Sequence, residues 1–367
     1  MKLIYFSLGY TTHDYRFLKS IVEGGHEAFF VQLEGNQRQV EDRPIPENVN
    51  QVTWKGGREP FRWGNLVKLV LDFRRLVKKI KPDLIHAGPI QTCAFIAILS
   101  GFRTVLTMSW GFDLMEDVHK SKWMEWVTRY TLKRSSFFTS DAKVTRDLAI
   151  KYGVSPEKTV VFPWGVDLEQ FKPNPDHWVV NTSHFTLFCN RSWETRYGVD
   201  LLARAFVKLA KQSGNADLIL LGDGSLGNHI RHILQVGGVS DRVTFGGQIS
   251  QTDLPRWYQV ADLYISPSHI DGSSVSLMEA LACGLPCLVS DIPANKEWIT
   301  ENENGWLFHD GDENELVGKI LTAIAQKDKL SGIGAASRRS AEMRADWKKN
   351  AETLMNVYRS LGGKNAQ

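Results

Sequence analysis

The chain has 367 residues, 43% of them apolar and 23% charged, which excludes a wholly disordered polymer and exceeds what one hydrophobic core usually spans. Its 44 Lys+Arg against 41 Asp+Glu leave a formal charge of +3, too small for a protein built mainly to coat a polyanion, so no nucleic-acid partner is expected. The four cysteines, Cys93, Cys189, Cys283 and Cys287, follow neither a disulfide framework nor zinc spacing, so a reducing compartment and no metal are expected.

The opening MKLIYFSLGYTTHDYRF carries a short apolar run that turn and polar residues break from Gly9 to Asp14, where the core of a signal peptide would continue. It predicts a first strand at Leu3–Phe6, a βα turn at Gly9 and a helix over His13–Val22. A second strand is expected at Ala28–Leu33. Between Pro60 and Pro82, Arg62, Lys68, Arg74, Arg75, Lys78, Lys79 and Lys81 face only Asp72, a local +6. Leu66, Leu69, Val70, Phe73, Leu76, Val77 and Ile80 recur there at helical spacing, so the segment is an amphipathic helix with a basic outer face. That face is either an ordinary solvated surface or a contact for anionic lipid headgroups, made through Lys68, Arg74, Arg75, Lys78 and Lys79 at the rim of the stripe. No uncharged apolar stretch reaches the ~18 residues of a spanning helix.

Leu84–His86, Thr104–Met108 and Ser136–Thr139 read as further strands, with helices over Gln91–Leu99, in the aromatic-rich stretch before Ser136, and over Ala142–Tyr152. His86 ends its strand beside Gly88-Pro89, and Ser109-Trp110-Gly111-Phe112-Asp113 follows the next one. Asp113 and His13-Asp14 either hydrogen-bond substrate hydroxyls or cap loops. Pro163, Gly165, Pro173 and Pro175 then interrupt the periodicity, which places a domain boundary in VVFPWGVDLEQFKPNP.

Alternation resumes with strands at Phe185–Cys189, Asp217–Leu221, Val243–Phe245, Leu263–Ser266 and Leu288–Ser290. Helices are expected at Leu201–Gln212, Ser225–Val236, Leu254–Gln259, Val275–Cys283 and Asn295–Ile299, and the tail from Gly332 is helical and charged. Strand and helix in this rhythm mean two α/β domains around parallel sheets.

In Asp271-Gly272-Ser273-Ser274-Val275-Ser276-Leu277-Met278-Glu279 small residues lead from a strand into a helix. The first N–H groups of that helix form an anion site suited to phosphate, and Glu279 lies within reach of a sugar-like diol. The alternative is an ordinary serine cap with a solvated Glu279. Arg191, which follows Phe185–Cys189 after the single residue Asn190, and Arg196 could offset charge on a diphosphate leaving group, or pair with Glu194 at the surface. Gly222-Asp223-Gly224 is too short to argue for a dinucleotide fingerprint, so hydride transfer is poorly supported.

These residues together resemble the retaining, nucleotide-sugar-dependent glycosyltransferases of family 4. The likeness is carried by Ser266-Pro267-Ser268, Asp271-Gly272, Glu279-Ala280-Leu281-Ala282-Cys283-Gly284-Leu285-Pro286, Ser290-Asp291, Glu297, Gly305-Trp306-Leu307-Phe308 and Gly311-Asp312. The segment Pro163-Trp164-Gly165-Val166-Asp167, Phe245-Gly246 and the Gly25-His26-Glu27 turn add to it. The resemblance implies a GT-B fold, two Rossmann-like domains facing a central cleft. The expected division is 1–165 on the acceptor side, 166–345 for the nucleotide sugar, and a helix at 346–367 returning to the first domain.

By that likeness Asp271 faces the donor sugar, Glu279 holds the nucleotide ribose and Arg191 binds the diphosphate, although Asn190 stands where a glycine usually precedes the arginine. The family's partner lysine falls on Arg196, or on Tyr197 if the count is anchored at Gly198. Trp110 stands where many members place a histidine in the donor-sugar pocket. The expected catalytic set is Asp271, Arg191, His86 and Asp113. The expected donor set is Glu279, Arg191, Arg196, Tyr197, Ser273, Ser274, Val275, Gly246, Gly9 and Trp110.

The resulting expectation is a retaining transfer of a hexose-type residue from a nucleotide sugar to a glycan or lipid-linked acceptor, with no cofactor beyond that co-substrate. The setting is cell-surface polysaccharide or lipopolysaccharide assembly, in the cytoplasm with peripheral attachment to the inner face of the membrane. An epimerase of the same fold and a non-catalytic glycan- or nucleotide-binding module are the competing readings.

Overall fold

The computed structural model describes residues 1–34, 41–58, 60–176 and 184–362, which form two units. The first joins Met1–Trp164 to Lys348–Gln367, and the second is Gly165–Trp347.

The first unit is built on a sheet of β1 (Lys2–Ser7), β2 (Glu27–Gln32), β3 (Val49–Gln51), β4 (Leu84–Ala87), β5 (Val105–Met108), β6 (Phe137–Ser140) and β7 (Thr159–Val161). Their order is β3-β2-β1-β4-β5-β6-β7 and every pairing is parallel. A parallel sheet needs helices on both faces, so its central strands are apolar on both sides. β4 and β5 are buried at every position. Ile4 pairs with Phe29 on one side and Ile85 on the other.

The helix Thr12–Glu23 starts on a capping box, in which Thr11 accepts from the Asp14 N–H and the Asp14 carboxylate accepts from Thr11. The basic helix runs Leu66–Ile80 and stops at Lys81, which takes φ 53° before Pro82. Its expected stripe is spent on the core: Phe73 and Ile80 are buried, with Leu66, Leu69, Val70, Leu76 and Val77 packed around Phe6 and Trp54. The tail is two helices, Leu330–Arg344 and Trp347–Gly362. The break comes where the Ala345 carbonyl accepts from the Val166 N–H at 2.7 Å. Within the first unit, the last helix buries Leu354, Val357, Tyr358 and Leu361 and is fastened by Asn350 Nδ2 to the Pro163 carbonyl at 2.8 Å.

The second unit holds β8 (Phe185–Cys189), β9 (Ala216–Leu221), β10 (Val243–Gly247), β11 (Leu263–Ser266), β12 (Cys287–Ser290) and β13 (Gly305–Phe308). Its order is β10-β9-β8-β11-β12-β13, again all parallel. Alternate residues feed two cores. Leu187, Leu218, Leu220 and Ile265 meet Phe206 and Leu209 on one face, while Phe188, Ile219, Tyr264 and Val289 meet Leu277, Met278 and Tyr258 on the other.

Chain order reverses between β8 and β11, so the loops leaving their carboxyl ends diverge and open a crevice there. Asn190-Arg191 leaves β8 and Pro267–Ser274 leaves β11, which is what positions the candidate site. Among the described residues no helix is long and apolar enough to cross a membrane.

Candidate functional site

The helix Val275–Ala282 begins at Ser274, whose Oγ accepts from the Leu277 N–H at 3.4 Å. The serine is therefore a cap, as one alternative has it, but it does a second thing. Arg191 donates from one terminal nitrogen to Ser274 Oγ and Ser276 Oγ, both at 2.8 Å, and from the other to Asp271 Oδ2 at 2.7 Å. The Tyr197 ring lies 4.3 Å from the guanidinium carbon, a cation–π contact. Arg191 is only 9% exposed and its Nε is buried with no partner among the described residues.

Burial works against the charge of this guanidinium, yet Asp271 and its aromatic neighbours hold its pKa above the ordinary value. Burial likewise pushes the Asp271 carboxyl up, against the pull of Arg191. Glu194 does not pair with Arg191 here: it accepts from the Ser225 N–H at 2.9 Å and the Ser225 hydroxyl at 2.5 Å.

Glu279 is 2% exposed, which removes the solvated alternative. Its Oε2 lies 2.9 Å from the Tyr258 hydroxyl, which also sits 3.0 Å from the Ser276 carbonyl. The one phenolic proton can serve only one of these at a time. Burial and the Glu279 charge raise the Tyr258 pKa well above its usual value, so Tyr258 stays a donor. Asn190 donates its side-chain amide to the same phenol oxygen at 2.8 Å. The departure from glycine at this position thus has a structural use, tying the end of β8 to the Tyr258–Glu279 pair.

Ser273 accepts from the Trp298 indole at 2.7 Å and is committed to holding the turn. Val275 is the half-buried first residue of the helix. Arg196 sits half-buried in the turn Thr195–Tyr197, where its carbonyl accepts from the His269 N–H at 2.9 Å. Of the two places for the expected second cation, the tyrosine is the one in contact with Arg191. Gly246 lies in β10, where a Cβ would come within 2.3 Å of Leu221, so packing alone accounts for the glycine.

Two of the expected catalytic residues, both in the first unit, are placed otherwise. His86 is fully buried in β4, with Nδ1 2.7 Å from the Tyr358 hydroxyl and its ring between Tyr5 and Phe17. Burial lowers its pKa to about 3, so it is a neutral core residue. Asp113 is also fully buried. It accepts from Ser109 Oγ at 2.6 Å and from the backbone N–H groups of Ile90 at 3.1 Å and Trp110 at 3.2 Å. Burial raises its carboxyl to about 6. It joins the turn after β4 to the loop after β5, so its acceptors are spent on backbone and not on a substrate.

Asp14 is taken up likewise by Thr11 and the Tyr5 hydroxyl. Gly9 lies buried in the bend that follows β1. Trp110 belongs to a different kind of cluster. Its ring lies 6.4 Å from both His13 and Trp164, and His13 is 4.4 Å from Trp164. The Trp110 and Trp164 indole nitrogens and His13 Nδ1 are buried without a partner among the described residues. Burial and the nearby Arg16 lower the His13 pKa to about 3, leaving a neutral ring.

Tyr258 and Tyr264 escape the sequence reading. Tyr264, in β11, donates to Ser276 Oγ at 2.8 Å and completes the ring of hydroxyls around Arg191. Ser276 was within the motif already singled out; the tyrosines carried no local signal, since each reads as an apolar core position. Among the described residues no group of three or more His, Cys, Asp or Glu is placed to hold a metal ion.

A family model described as Glycosyltransferase Family 4 matches residues 9–170, and one described as Glycosyl transferases group 1 matches residues 173–354. Spore coat protein SA of Bacillus subtilis is 28% identical over 169 residues, 44% of this chain and 45% of that protein, so the match spans less than half of that relative. A GDP-mannose-dependent alpha-(1-6)-phosphatidylinositol monomannoside mannosyltransferase of Mycobacterium tuberculosis is 24% identical over 292 residues, 74% of each chain. Among solved structures, sucrose-phosphate synthase from Thermosynechococcus elongatus superposes with TM-score 0.84 at 18% identity, covering 99% of this chain and 100% of that one. The Anabaena protein Alr3699/HepE in complex with UDP-glucose does so with TM-score 0.80 at 18% identity, covering 98% and 100%.

Proposed function

From the premise that this chain is a glycosyltransferase of the GT-B fold, related to both of those families, we propose that it moves a hexose-type residue from a nucleotide sugar to a glycan or lipid-linked acceptor with retention of anomeric configuration. One observation carries the reading: a buried guanidinium with a donor still unmet stands at the start of a helix, paired with the partly buried Asp271 carboxylate, and the buried Glu279 lies one turn on from its partner Ser276. A diphosphate supplies what Arg191 lacks, and the first N–H groups of the helix add partial positive charge where the leaving group gains negative charge.

In this proposal Arg191 exchanges Asp271 for the diphosphate, and the released carboxylate accepts from donor-sugar hydroxyls. Glu279, oriented by Tyr258 and Asn190, accepts from the two ribose hydroxyls. Arg196 and Tyr197 flank the phosphates, the one by charge and the other by stacking under Arg191. The glycosidic carbon–phosphate oxygen bond breaks as the acceptor hydroxyl bonds to the same face of the sugar. The acceptor proton passes to the departing phosphate oxygen, leaving a glycoside and a nucleoside diphosphate. Nothing in such a route needs a side-chain base, which accords with the burial of His86 and Asp113. In the first unit the unmet nitrogens of Trp110, His13 and Trp164 are suited to hydrogen-bonding hydroxyls. The setting we propose is surface-polysaccharide assembly on the cytoplasmic side of the cell membrane.

The test is a mass-spectrometric screen of the purified chain against a panel of nucleotide sugars without acceptor. We expect slow hydrolysis of one donor class, giving nucleoside diphosphate and free sugar, with the first-formed anomer matching the donor by NMR. An isomerised nucleotide sugar would point instead to an epimerase, and tight binding without turnover to a binding module; either overturns the proposal.

A further inference from the structure

Five of the eight large apolar side chains exposed among the described residues belong to one region of the first unit: Trp63 (38%), Val67 (70%), Leu71 (51%), Trp123 (47%) and Trp126 (47%). The other three, Val236, Val260 and Met343, are scattered over the second unit. The five form one surface. Trp63 packs edge-on to Trp123 at 5.6 Å, and Trp123 stacks on Trp126 at 5.0 Å and 18°. Val67 and Leu71 follow Trp63 at intervals of four along the start of the helix Leu66–Ile80, so they extend the same row.

These residues lie outside the stripe that the helix spends on its core. The row then changes character, since Arg74, Arg75, Lys78 and Lys79 are exposed on the following turns and Lys68 beside it. Among the described residues none of these five cations has an ion-pair partner.

We infer that this face docks on an anionic membrane surface, with the indoles and Val67 and Leu71 entering the headgroup boundary and the cations resting on acidic lipid. Indoles prefer that boundary because their ring is apolar and their N–H polar. Basic residues beside them add attraction to anionic headgroups. A contiguous exposed apolar patch marks an interaction site, and the five unpaired cations at one end of this one select an anionic partner. The inference rests on the first unit alone and holds whichever donor the enzyme takes.

The test sediments the full chain with phosphatidylcholine vesicles and with vesicles containing about a third phosphatidylglycerol. The chain should pellet with the anionic vesicles, less so at high salt, and weakly with the neutral ones. Replacing Lys68, Arg74, Arg75, Lys78 and Lys79 by Gln should lower the anionic partition on the order of 100-fold. Trp63→Ala with Trp123→Ala and Trp126→Ala should lower it roughly 10-fold. Val67→Glu with Leu71→Glu changes only exposed positions, so it keeps the test valid should the tryptophan variant fold poorly. Brominated lipid chains should quench the tryptophan fluorescence of the native chain and not that of a Trp123→Phe, Trp126→Phe variant to the same extent. The inference fails if the native chain does not pellet, or if the apolar variants pellet like it. It fails too if sedimentation velocity shows a dimer that Val67→Glu with Leu71→Glu dissolves in the absence of vesicle binding, because the face then belongs to a second copy.

Discussion

Arg191 and Asp271 form an ion pair whose side chains are 10% and 16% exposed, and this geometry changes what a mutation at either position should do. A surface arginine aimed at a phosphate could be removed at little cost to folding. Here its removal strands a largely buried carboxylate, a loss of about 3 kcal/mol, at the lower end of the range for buried pairs. Arg191→Ala should therefore lose both stability and turnover. Adding Asp271→Asn neutralises the stranded group and should restore most of the stability, by about 2 kcal/mol or more, while turnover stays lost. Denaturant unfolding and donor hydrolysis on the single and double variants measure the two effects. A double variant no more stable than the single would show that the pair is not the source of the cost. Residues of this kind are legible in sequence because each stands in the short loop after a strand end or before a helix start. Those that were not legible, His86 and Asp113, occupy the same kinds of position. What distinguishes them is that their polar atoms are taken up inside the first unit, by Tyr358 for His86 and by Ser109 and the Ile90 and Trp110 N–H groups for Asp113. That position alone announces none of these contacts.

The same division runs through the secondary elements. β8 and β11 fall where their apolar runs place them, Phe185–Cys189 and Leu263–Ser266, because both are central strands whose runs stop at polar or proline residues. β3, with sequence VNQ at the edge of its sheet, has no apolar run to find, and β7 at the other edge is only three residues. The expected helix Gln91–Leu99 is a π-type turn over Ile90–Ala94 followed by Phe95–Leu99, a distinction periodicity does not resolve. Turns that set the site are more demanding. Gly198 takes φ 62° between the turn carrying Arg196 and Tyr197 and the helix Val199–Gln212, and a Cβ there would lie 2.1 Å from the Pro267 carbonyl oxygen. Gly198→Ala must push the loop after β11 away from the arginine turn. We expect a loss of about 2 kcal/mol in unfolding and a fall in donor affinity by calorimetry. Gly318→Ala, inside the helix Glu313–Ala325 where a Cβ meets nothing within 4 Å, serves as the control. It should be neutral or stabilising by up to about 1 kcal/mol. Equal effects at the two glycines would remove the special role given to the first.

At the scale of the molecule, the chain's last helix belongs to the unit formed by its first residues, and His86 is one of the groups that fasten it. The Nδ1–Tyr358 contact joins β4 to a helix 272 positions away, and Tyr5 and Phe17 close the ring in edge-on packing at 5.2 and 5.5 Å. Burial depresses His86 to about 3, and His13 equally, from an unfolded value near 6.5. A depressed folded pKa means that the unfolded chain binds the proton first. Stability is then whole above pH ~6.5 and drains as pH falls toward ~3, at up to about 1.4 kcal/mol per pH unit for each histidine. Asp113 acts in the opposite sense, since its raised value of about 6 favours the folded state as it protonates. Asp14, whose carboxyl burial also raises, acts with Asp113, and His26, lowered by burial, acts with His86 and His13. Three histidines against two carboxyls mean that the unit should weaken on mild acidification, across pH ~6.5 to ~4.5. His86→Asn keeps a polar atom near the position of Nδ1 for Tyr358 but cannot titrate. It should cost about 1–2 kcal/mol at neutral pH, for the lost ring packing, and flatten the acid slope by about 2 kcal/mol over that window. Thermal melts of the two proteins at matched pH values decide the matter: parallel slopes would mean that His86 takes up its proton in the folded chain as readily as in the unfolded one, and that its burial does not set the acid response.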